Sequence, residues 1–352
     1  MTEPKIIRWG VAGTGTIARQ FAGDISHARG ATLDAVCARD LAKAREFADR
    51  HSGIQAFGSL TEMIASNAVD AVYIATPNAV HRNQALDCIA ARMPILVEKP
   101  MTADLDQALE IVAAARTADS FVMEAMWSRY LPAIKAAREA VRAGAIGEVR
   151  RLRADIAWKH DFDPKSRFFD KSRGGGVLHD LGVYPVSLAR YFLGDADRVE
   201  GKWRAAPSGV DMAATISLRF GASEAVIECG FDREGSNRML IEGDHGVLVL
   251  SSPFIKADGF AIFPSRLLAD LLQPGGPSMA ARLRRKLFAH IPLPGVTRHR
   301  FSFEGGGLQF EIEAASDAIR QGLREEPGNR LDDTIAALRI IDAVLDRPPE
   351  PD

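Results

Sequence analysis

The sequence predicts an α/β protein with two parts: a doubly wound parallel sheet first, then an α+β domain on a largely antiparallel sheet. Two observations carry this prediction. In the first third of the chain, short apolar runs alternate with helix-like stretches, which is the pattern of a parallel sheet with helices on both faces. From about residue 150, apolar runs follow one another with few helices between them, which favours antiparallel pairing.

The first part is read from its apolar runs, each ended by Gly, Pro or a polar turn. Strands are expected at 6–12, 33–38, 71–75, 95–98 and 121–124. Helices are expected between them, at 16–28, 41–50, 80–91 and 104–117. Strands of this length, each followed by a helix, form βαβ units.

The second part has longer runs with fewer interruptions. Strands are expected at 149–157, 213–220, 225–231, 239–242 and 246–250, and helices at 178–192, 310–322 and 331–346. The predicted domains are therefore 1–122 and 123–352, the second with a basic insertion near 264–303 and terminal helices within 310–346.

Composition excludes several classes of protein. The 352 residues are 47% apolar and 26% charged, with a net charge of −2, so no global attraction for nucleic acid or an anionic membrane is expected. No apolar run is long enough to span a bilayer, and the N-terminus has no signal-peptide layout. Three scattered cysteines form no disulfide framework. The chain is expected to be cytoplasmic, with no nucleic-acid or membrane partner.

The first strand ends in a glycine-rich turn that begins a helix. Gly13, Gly15 and Ala18 give the pattern GxGxxA, with Thr16 and Ile17 between the last two. The first glycine permits a tight turn, the second lets the backbone approach a pyrophosphate, and Ala18 lets the helix pack closely on the sheet. This strand–turn–helix context predicts a Rossmann dinucleotide-binding site.

Cofactor choice is predicted at the end of the second strand. An NAD-binding protein usually has an acid there for the ribose 2′-hydroxyl, whereas this chain has Arg39, whose guanidinium suits a 2′-phosphate. Asp40 is expected to cap the following helix. NADP is favoured over NAD, which stays possible.

Two further strand ends reach the same edge of the predicted sheet, where such sheets bind ligands. One is followed by Thr76-Pro77-Asn78 and the other ends in Glu98-Lys99-Pro100. Lys99, directly after a buried strand, suits proton transfer or polarisation of a carbonyl.

A glycine-rich segment in the second part of the chain leads to further candidate catalytic residues. Three glycines at 174–176 let the backbone approach a ligand or a neighbouring strand. Asp180 and Tyr184 follow four residues apart, and Pro185 places them near the first turn of a helix or at a kink. The nearby His-Asp pairs lack the spacing of a metal site, so no metal is expected.

These motifs together resemble the glucose–fructose oxidoreductase/inositol dehydrogenase (Gfo/Idh/MocA) family. The resemblance rests on GxGxxA, on Thr76-Pro77-Asn78 with His81 following, on Glu98-Lys99-Pro100, and on the segment that leads to Asp180 and Tyr184. It runs along the whole chain except about 255–305. It implies that Lys99 takes part in catalysis and that Thr76, Asn78, His81 and Glu98 belong to the cofactor site.

A narrower resemblance is to the branch with dimeric dihydrodiol dehydrogenases and NADP-dependent D-xylose dehydrogenases. It rests on the run 123–132, on 38–40 and on Tyr184, where many other family members have His. It implies that Tyr184 acts with Lys99, and that Trp127 and Arg129 lie near the nicotinamide; a core position is the alternative for Trp127. A homodimer or higher homo-oligomer through the outer face of the antiparallel sheet is the family expectation.

Substrate contacts are expected from the loop after residue 157 and from the glycine-rich segment. Besides Lys99, Asp180 and Tyr184, the candidates are Trp158, His160, Phe162 and His179. The expected activity is NADP-dependent oxidation of a secondary or anomeric hydroxyl of an aldose, cyclitol or cyclic diol, or the reverse reduction. Two alternatives stay open: recycled cofactor in glycoside cleavage or epimerisation, and a regulatory protein that senses NADP without turnover.

One segment fits none of these expectations. Residues 271–303 contain six Lys or Arg and no Asp or Glu, and Leu283, Leu287 and Ile291 recur at helical spacing. We expect a surface excursion whose apolar residues pack on their own domain, with a substrate lid or a subunit contact as alternatives. Binding to a membrane surface is disfavoured, because the stretch is short and the whole chain is not basic.

Overall fold

The structure, a computed structural model, describes residues 5–51, 53–276, 278–288 and 293–350. The chain folds as two compact units: Met1–Tyr130 with Phe303–Ile335, and Leu131–Ser302 with Ala336–Asp352. The predicted boundary at 122/123 differs from this division because the chain returns to the first unit. There Trp9 Nε1 donates to Ser316 Oγ (3.0 Å), and Leu308 N donates to the Asp24 carboxylate (2.9 Å).

The first unit is built on six strands. They are β1 (Ile7–Ala12), β2 (Ala31–Cys37), β3 (Gln55–Phe57), β4 (Ala71–Ile74), β5 (Ile95–Glu98) and β6 (Val122–Ala125). Their order across the sheet is β3-β2-β1-β4-β5-β6, and every pairing is parallel. The predicted doubly wound sheet is confirmed. Its order reverses between β1 and β4, where such sheets open a ligand crevice.

The second unit contains the remaining strands. They are β7 (Val149–Ala157), β8 (Arg198–Ala205), β9 (Asp211–Phe220), β10 (Ser223–Gly230), β11 (Arg238–Gly243), β12 (Val247–Leu250), β13 (Gly259–Phe263) and β14 (Thr297–Arg300). Their order is β14-β13-β12-β11-β7-β10-β9-β8. Among the described strands of this sheet, β7 and β10 are the one pair that runs in parallel, so the predicted largely antiparallel sheet is confirmed.

Helices connect and cover these strands. They are α1 (Thr16–Asp24), α2 (Leu41–Asp49), α3 (Leu60–Ala65), α4 (His81–Ala90), α5 (Leu105–Ala118), α6 (Pro132–Arg142), α7 (Val183–Leu193), α8 (Arg266–Leu272), α9 (Met279–Phe288), α10 (Gln309–Arg320) and α11 (Leu331–Leu345). Several begin at a side-chain cap, as at Asp104, which accepts from Gln107 N (3.0 Å). A single turn of π-helix, Leu178–Gly182, precedes α7.

Several elements of the structure were not predicted from the sequence. In the first unit these are β3 and α3, and in the second α6, β8, α8, α9, β13 and β14. Within the described parts of the chain, no helix combines the length and apolar character that crossing a bilayer requires. The same residues hold no group of three His, Cys, Asp or Glu side chains placed for a metal ion.

Candidate active site

The glycine-rich turn lies between β1 and α1, at the carboxyl edge of the parallel sheet. Gly13 has a φ of +113°, and a Cβ there would lie 2.7 Å from the carbonyl oxygen of Ala75, on the neighbouring strand end. At Gly15, the residue that caps α1, a Cβ would meet nothing within 4 Å, and no side chain caps the helix. The first-turn amides therefore face open space, as a pyrophosphate requires.

The end of β2 places two charged residues side by side with different roles. Asp40 caps α2, because its carboxylate accepts from Ala42 N (3.0 Å), as predicted. Arg39 is exposed, and its side chain makes no ion pair with any described residue. A guanidinium in this position is available to a phosphate on the ribose.

His81 holds two strand-end turns together. The side chain is fully buried, and its two ring nitrogens lie 3.2 Å from the Met101 carbonyl oxygen and 2.7 Å from that of Thr76. Burial lowers the pKa of His81. The ring lies between the turn that carries Thr76 and Asn78 and the turn after β5, and the cofactor contact of His81 stays a prediction.

Lys99 follows β5 directly, and its peptide bond to Pro100 is cis. The preceding Glu98 is buried: its carboxylate accepts from the Tyr73 hydroxyl and from Lys99 N (3.1 Å). Burial raises the pKa of Glu98 to about 7, although Tyr73 and the Lys99 charge oppose that rise. Glu98 thus changes charge near neutral pH beside the candidate catalytic lysine. Its burial supports an electrostatic role more than direct contact with a cofactor.

Two more buried carboxyl groups, those of Glu124 and Glu311, interact electrostatically with Glu98. Glu124, on β6, accepts from Met101 N (2.9 Å) and from the Thr334 hydroxyl (3.0 Å). Glu311, on α10, is fully buried, and neither of its oxygens has a hydrogen-bond partner among the described residues. Burial, together with the charges of Glu98, Asp24 and Glu124, raises the pKa of Glu311 well above its ordinary value. A carboxyl group buried without a hydrogen-bond partner disfavours its charged form.

Trp127 and Arg129 follow β6 in a short 3-10 turn and are both buried, at 5% and 2% exposure. The Arg129 guanidinium pairs with Asp333 (3.3 Å) and donates to the Gly328 carbonyl oxygen (3.1 Å). Arg129 is therefore engaged with the chain around residue 330. The alternative of a core position for Trp127 fits its burial better than an exposed contact does.

In the second unit, the glycine-rich segment leads into the π-turn and α7. Pro185 lies in the first turn of α7, as predicted, and Tyr184 precedes it with 7% exposure. Asp180 accepts from Arg167 Nη1 (3.2 Å), and His179 is buried at 5% exposure. Each of these candidates lies in the π-turn or the first turn of α7.

Asp211, at the start of β9, makes a hydrogen bond to the beginning of this segment. Its buried carboxylate accepts from Leu178 N (2.6 Å) at the start of the π-turn. Burial raises the pKa of Asp211 to about 7, even though backbone amides stabilise its charged form. The π-turn with Asp180 therefore depends on a residue that lies far away in the sequence.

The loop after β7 contains an aromatic cluster. His160 stacks on Phe168 with ring centroids 4.1 Å apart and meets Phe231 edge-on at 5.2 Å. Phe162 is 43% exposed, and Trp158 is half-buried. His160 is thus part of this cluster, which presents aromatic surface beside polar groups.

The structure therefore brings the glycine-rich turn, Arg39, Thr76 and Lys99 to one edge of the parallel sheet. It places Asp180 and Tyr184 together in the second unit. Four buried residues that interact with the turns carrying these groups, or with Glu98, were not predicted from the sequence: Tyr73, Glu124, Asp211 and Glu311. Two of them, Glu124 and Glu311, could have been found from the sequence. Each is an acid inside the apolar run of β6 or on the apolar face of α10, and acids are seldom buried unless they interact with other groups.

Both units are similar to known sequence families. Residues 7–126 match the family described as GFO_IDH_MocA, an oxidoreductase family with an NAD-binding Rossmann fold. Residues 134–249 match the GFO/IDH/MocA C-terminal domain. The two matches together span the whole first sheet and the second sheet from β7 to β12, whereas β13 and β14 lie beyond them.

Among curated proteins, the chain is similar to trans-1,2-dihydrobenzene-1,2-diol dehydrogenases. It is 29% identical to the Bos taurus protein over 329 residues, which is 91% of this chain and 90% of that protein. It is 28% identical to the Homo sapiens protein over 343 residues, which is 96% of each.

Among solved structures, the fold is similar to two oxidoreductases. The 3-ketoreductase KijD10 from Actinomadura kijaniata, solved with NADP and TDP-benzene, aligns with a TM-score of 0.77 at 22% identity over 97% of each chain. An aldose-aldose oxidoreductase from Caulobacter crescentus, complexed with glycerol, aligns with a TM-score of 0.80 at 21% identity over 96% of each chain.

Proposed function

Because the chain belongs to the Gfo/Idh/MocA oxidoreductase family, whose members oxidise or reduce with NAD(P), we propose that it acts on a secondary or anomeric hydroxyl. The proposed substrate is an aldose, a cyclitol or a cyclic diol, or the corresponding carbonyl compound in the reverse direction. The proposed cofactor is NADP. The names of the curated relatives, which are diol dehydrogenases similar along nine-tenths or more of this chain, support the substrate class.

The residues at the edge of the parallel sheet fit a dinucleotide. The uncapped first turn of α1, with open space at Gly15, suits the pyrophosphate, and the exposed Arg39 suits a 2′-phosphate. Asp40 is engaged as a helix cap, so it is not offered to a ribose 2′-hydroxyl. When bound, the cofactor supplies a hydride acceptor in one direction and a hydride donor in the other.

The remaining chemistry is assigned to Lys99 and Tyr184. In oxidation, this pair takes the hydroxyl proton as the carbon loses its hydride, and in reduction it returns a proton to the carbonyl oxygen. Asp180 orients or tunes the pair. The observation that carries the proposal is the position of Lys99: it follows a buried strand at the sheet edge, directly after the buried carboxylate of Glu98.

The first test is a panel of aldoses, cyclitols and diols, with nicotinamide absorbance followed for NADP and NAD side by side. We expect reduction of the cofactor, with NADP preferred. If NADP binds and no reduced cofactor accumulates with any compound, net dehydrogenation is wrong, and cofactor recycling or a regulatory role takes its place.

The second test separates catalysis from binding. Lys99→Ala and Tyr184→Phe are each expected to lower kcat by about 10²- to 10⁴-fold, the usual contribution of a general acid–base group, with NADP affinity unchanged. Lys43→Ala, at an exposed site on α2, and Tyr191→Phe, on α7, are matched controls that should keep turnover. Near-wild-type turnover in both Lys99→Ala and Tyr184→Phe would refute the assignment.

The proposal also includes assembly and location. From the composition we expect a cytoplasmic protein, and from the family resemblance we expect a homodimer or higher homo-oligomer formed through the outer face of the antiparallel sheet. Light scattering at working concentration tests this, and a monomeric mass would contradict it.

A further inference from the structure

The described chain has eight exposed large apolar side chains, and five of them lie within 21 consecutive residues of the second unit. These five form what we name the α8–α9 apolar surface: Leu267, Leu271, Met279, Leu283 and Leu287. Their exposures are 82%, 48%, 85%, 67% and 62%. Isolated exposed apolar residues are ordinary, whereas a concentration of them marks an interaction surface.

Helix α9 presents its apolar side to solvent. Met279, Leu283 and Leu287 recur every four residues and so share one face. Ala281, which points to the opposite side, is buried at 6% exposure. The expected packing of Leu283 and Leu287 on their own domain is therefore wrong for these residues, while Ile291 lies outside the described residues.

Helix α8 likewise has one buried apolar face and one exposed apolar face. Ala269 and Leu272 join a core cluster with strands β11 to β13, and Phe263 belongs to the same cluster. Leu267 and Leu271, four residues apart, remain exposed. Both helices are thus anchored through one face and leave apolar residues on another.

The charge of this segment is strongly positive. Four of the ten residues of α9 are Arg or Lys, and no acid occurs between 271 and 303. The nearest acid, Asp270, is neutralised by ion pairs of 2.6 Å with both Arg238 and Arg266. In the sequence of α9, apolar residues are interspersed with cations, which is the composition of a segment that lies in a membrane interface.

We propose that the α8–α9 apolar surface docks the protein on an anionic lipid surface. The apolar side chains would enter the headgroup region, and the cations would attract anionic headgroups. A second copy of the chain is a poorer occupant, because symmetric pairing through this surface would bring two cationic helices together. This proposal replaces the expectation of no membrane partner and is independent of the proposed reaction.

The experiment is co-sedimentation of the full chain with vesicles. One set contains phosphatidylcholine with about 30% phosphatidylglycerol, and the other contains phosphatidylcholine alone. We expect binding to the anionic set, at least about tenfold tighter than to the neutral set, and weakening as salt rises from about 0.05 to 0.5 M. Absence of binding to the anionic vesicles, or equal binding to both sets, would overturn the proposal.

A paired variant tests whether this surface is responsible. Leu283→Asp/Leu287→Asp should reduce vesicle affinity by at least about tenfold, because it removes apolar contact and adds repulsion from the lipid charge. Ile6→Asp places the same change at another exposed apolar residue, 54% exposed in the first unit, and should bind like the wild type. Thermal unfolding should be similar in all three proteins, since the altered side chains are exposed.

Two outcomes of this comparison would contradict the proposal. Equal vesicle binding by the paired variant would mean that another surface meets the lipid. A wild-type dimer in light scattering that becomes a monomer in the paired variant would show that a second copy, and not lipid, covers the α8–α9 apolar surface.

Discussion

Two glycine-rich turns, one in each unit, look alike in the sequence and differ in the structure. In the first, a Cβ on Gly15 would meet nothing within 4 Å. In the second, a Cβ on Gly175 would lie 2.8 Å from the Phe168 carbonyl oxygen, and one on Gly176 would collide with the Asp211 carboxylate. The first turn keeps space for a ligand, whereas the second uses its glycines to pack against its own unit. A glycine therefore shows where space is needed, and only the structure shows what fills it.

The largest expected effect concerns Asp211, which holds the second turn. Burial raises the pKa of Asp211 from 3.8 to about 7, so the folded state binds this proton more tightly than the unfolded state. The stabilisation is therefore complete below about pH 4 and is lost as pH rises through 7, on the order of 4 kcal/mol in total. Asp211→Asn removes this titration.

Urea unfolding of the wild type and of Asp211→Asn between pH 4 and 8 measures the effect. The wild-type free energy of unfolding, minus that of the variant, should fall as pH rises. Subtraction removes the contribution of Glu98, whose raised pKa acts in the same direction. A difference that stays constant with pH would mean that Asp211 is ionised throughout, and the contrast between the turns would then lie in packing alone.

Gly176→Ala tests the packing of the second turn directly. Gly176 has a φ of +128°, which disfavours any side chain, and the added methyl group would collide with Asp211. We expect the free energy of unfolding to fall by about 3 kcal/mol. Denaturant titration checks this, and a loss below about 1 kcal/mol would show that the segment relaxes easily.

In contrast to Gly176→Ala, we expect Gly15→Ala to weaken cofactor binding and to leave the stability of the fold nearly unchanged. The φ of −72° at Gly15 and its open surroundings predict a free energy of unfolding within about 0.5 kcal/mol of the wild type. The methyl group would occupy the approach of the pyrophosphate, so NADP affinity should fall at least about tenfold, equal to about 1.4 kcal/mol. Calorimetric titration with NADP measures this. Unchanged affinity would contradict the interpretation that the open space at the first turn receives the pyrophosphate.

The smallest effect is expected at Asp40, beside the first turn. Asp40→Ala removes the cap of α2 and should lower the free energy of unfolding by about 1 kcal/mol. The preference for NADP over NAD should not change, since the aspartate is a structural cap. A shift in that preference, measured by titration with both cofactors, would instead assign Asp40 to the ribose site.

Much of the first unit could be predicted from sequence because its signals are local. Strands β1, β4 and β5 are apolar runs ended by turn residues, and the motifs that follow them are contiguous. The edge strand β3 was missed because its three residues are exposed or half-buried and carry no apolar run. In the second unit, β8 was not predicted because its charged residues alternate with apolar ones and form no apolar run, as a strand with one solvated face does.

The sequence by itself determined the two sheets, the dinucleotide turn, the lysine after β5 and the cap at Asp40. Each of these depends on residues that are neighbours along the chain, where spacing and residue type suffice. Only the tertiary structure decided that Asp211 supports the π-turn, that the buried Glu311 carboxylate has no hydrogen-bond partner among the described residues, and which side of α9 meets solvent. Those facts depend on residues brought together from distant parts of the chain, and burial, which sets their pKa values and contacts, is a property of the folded unit.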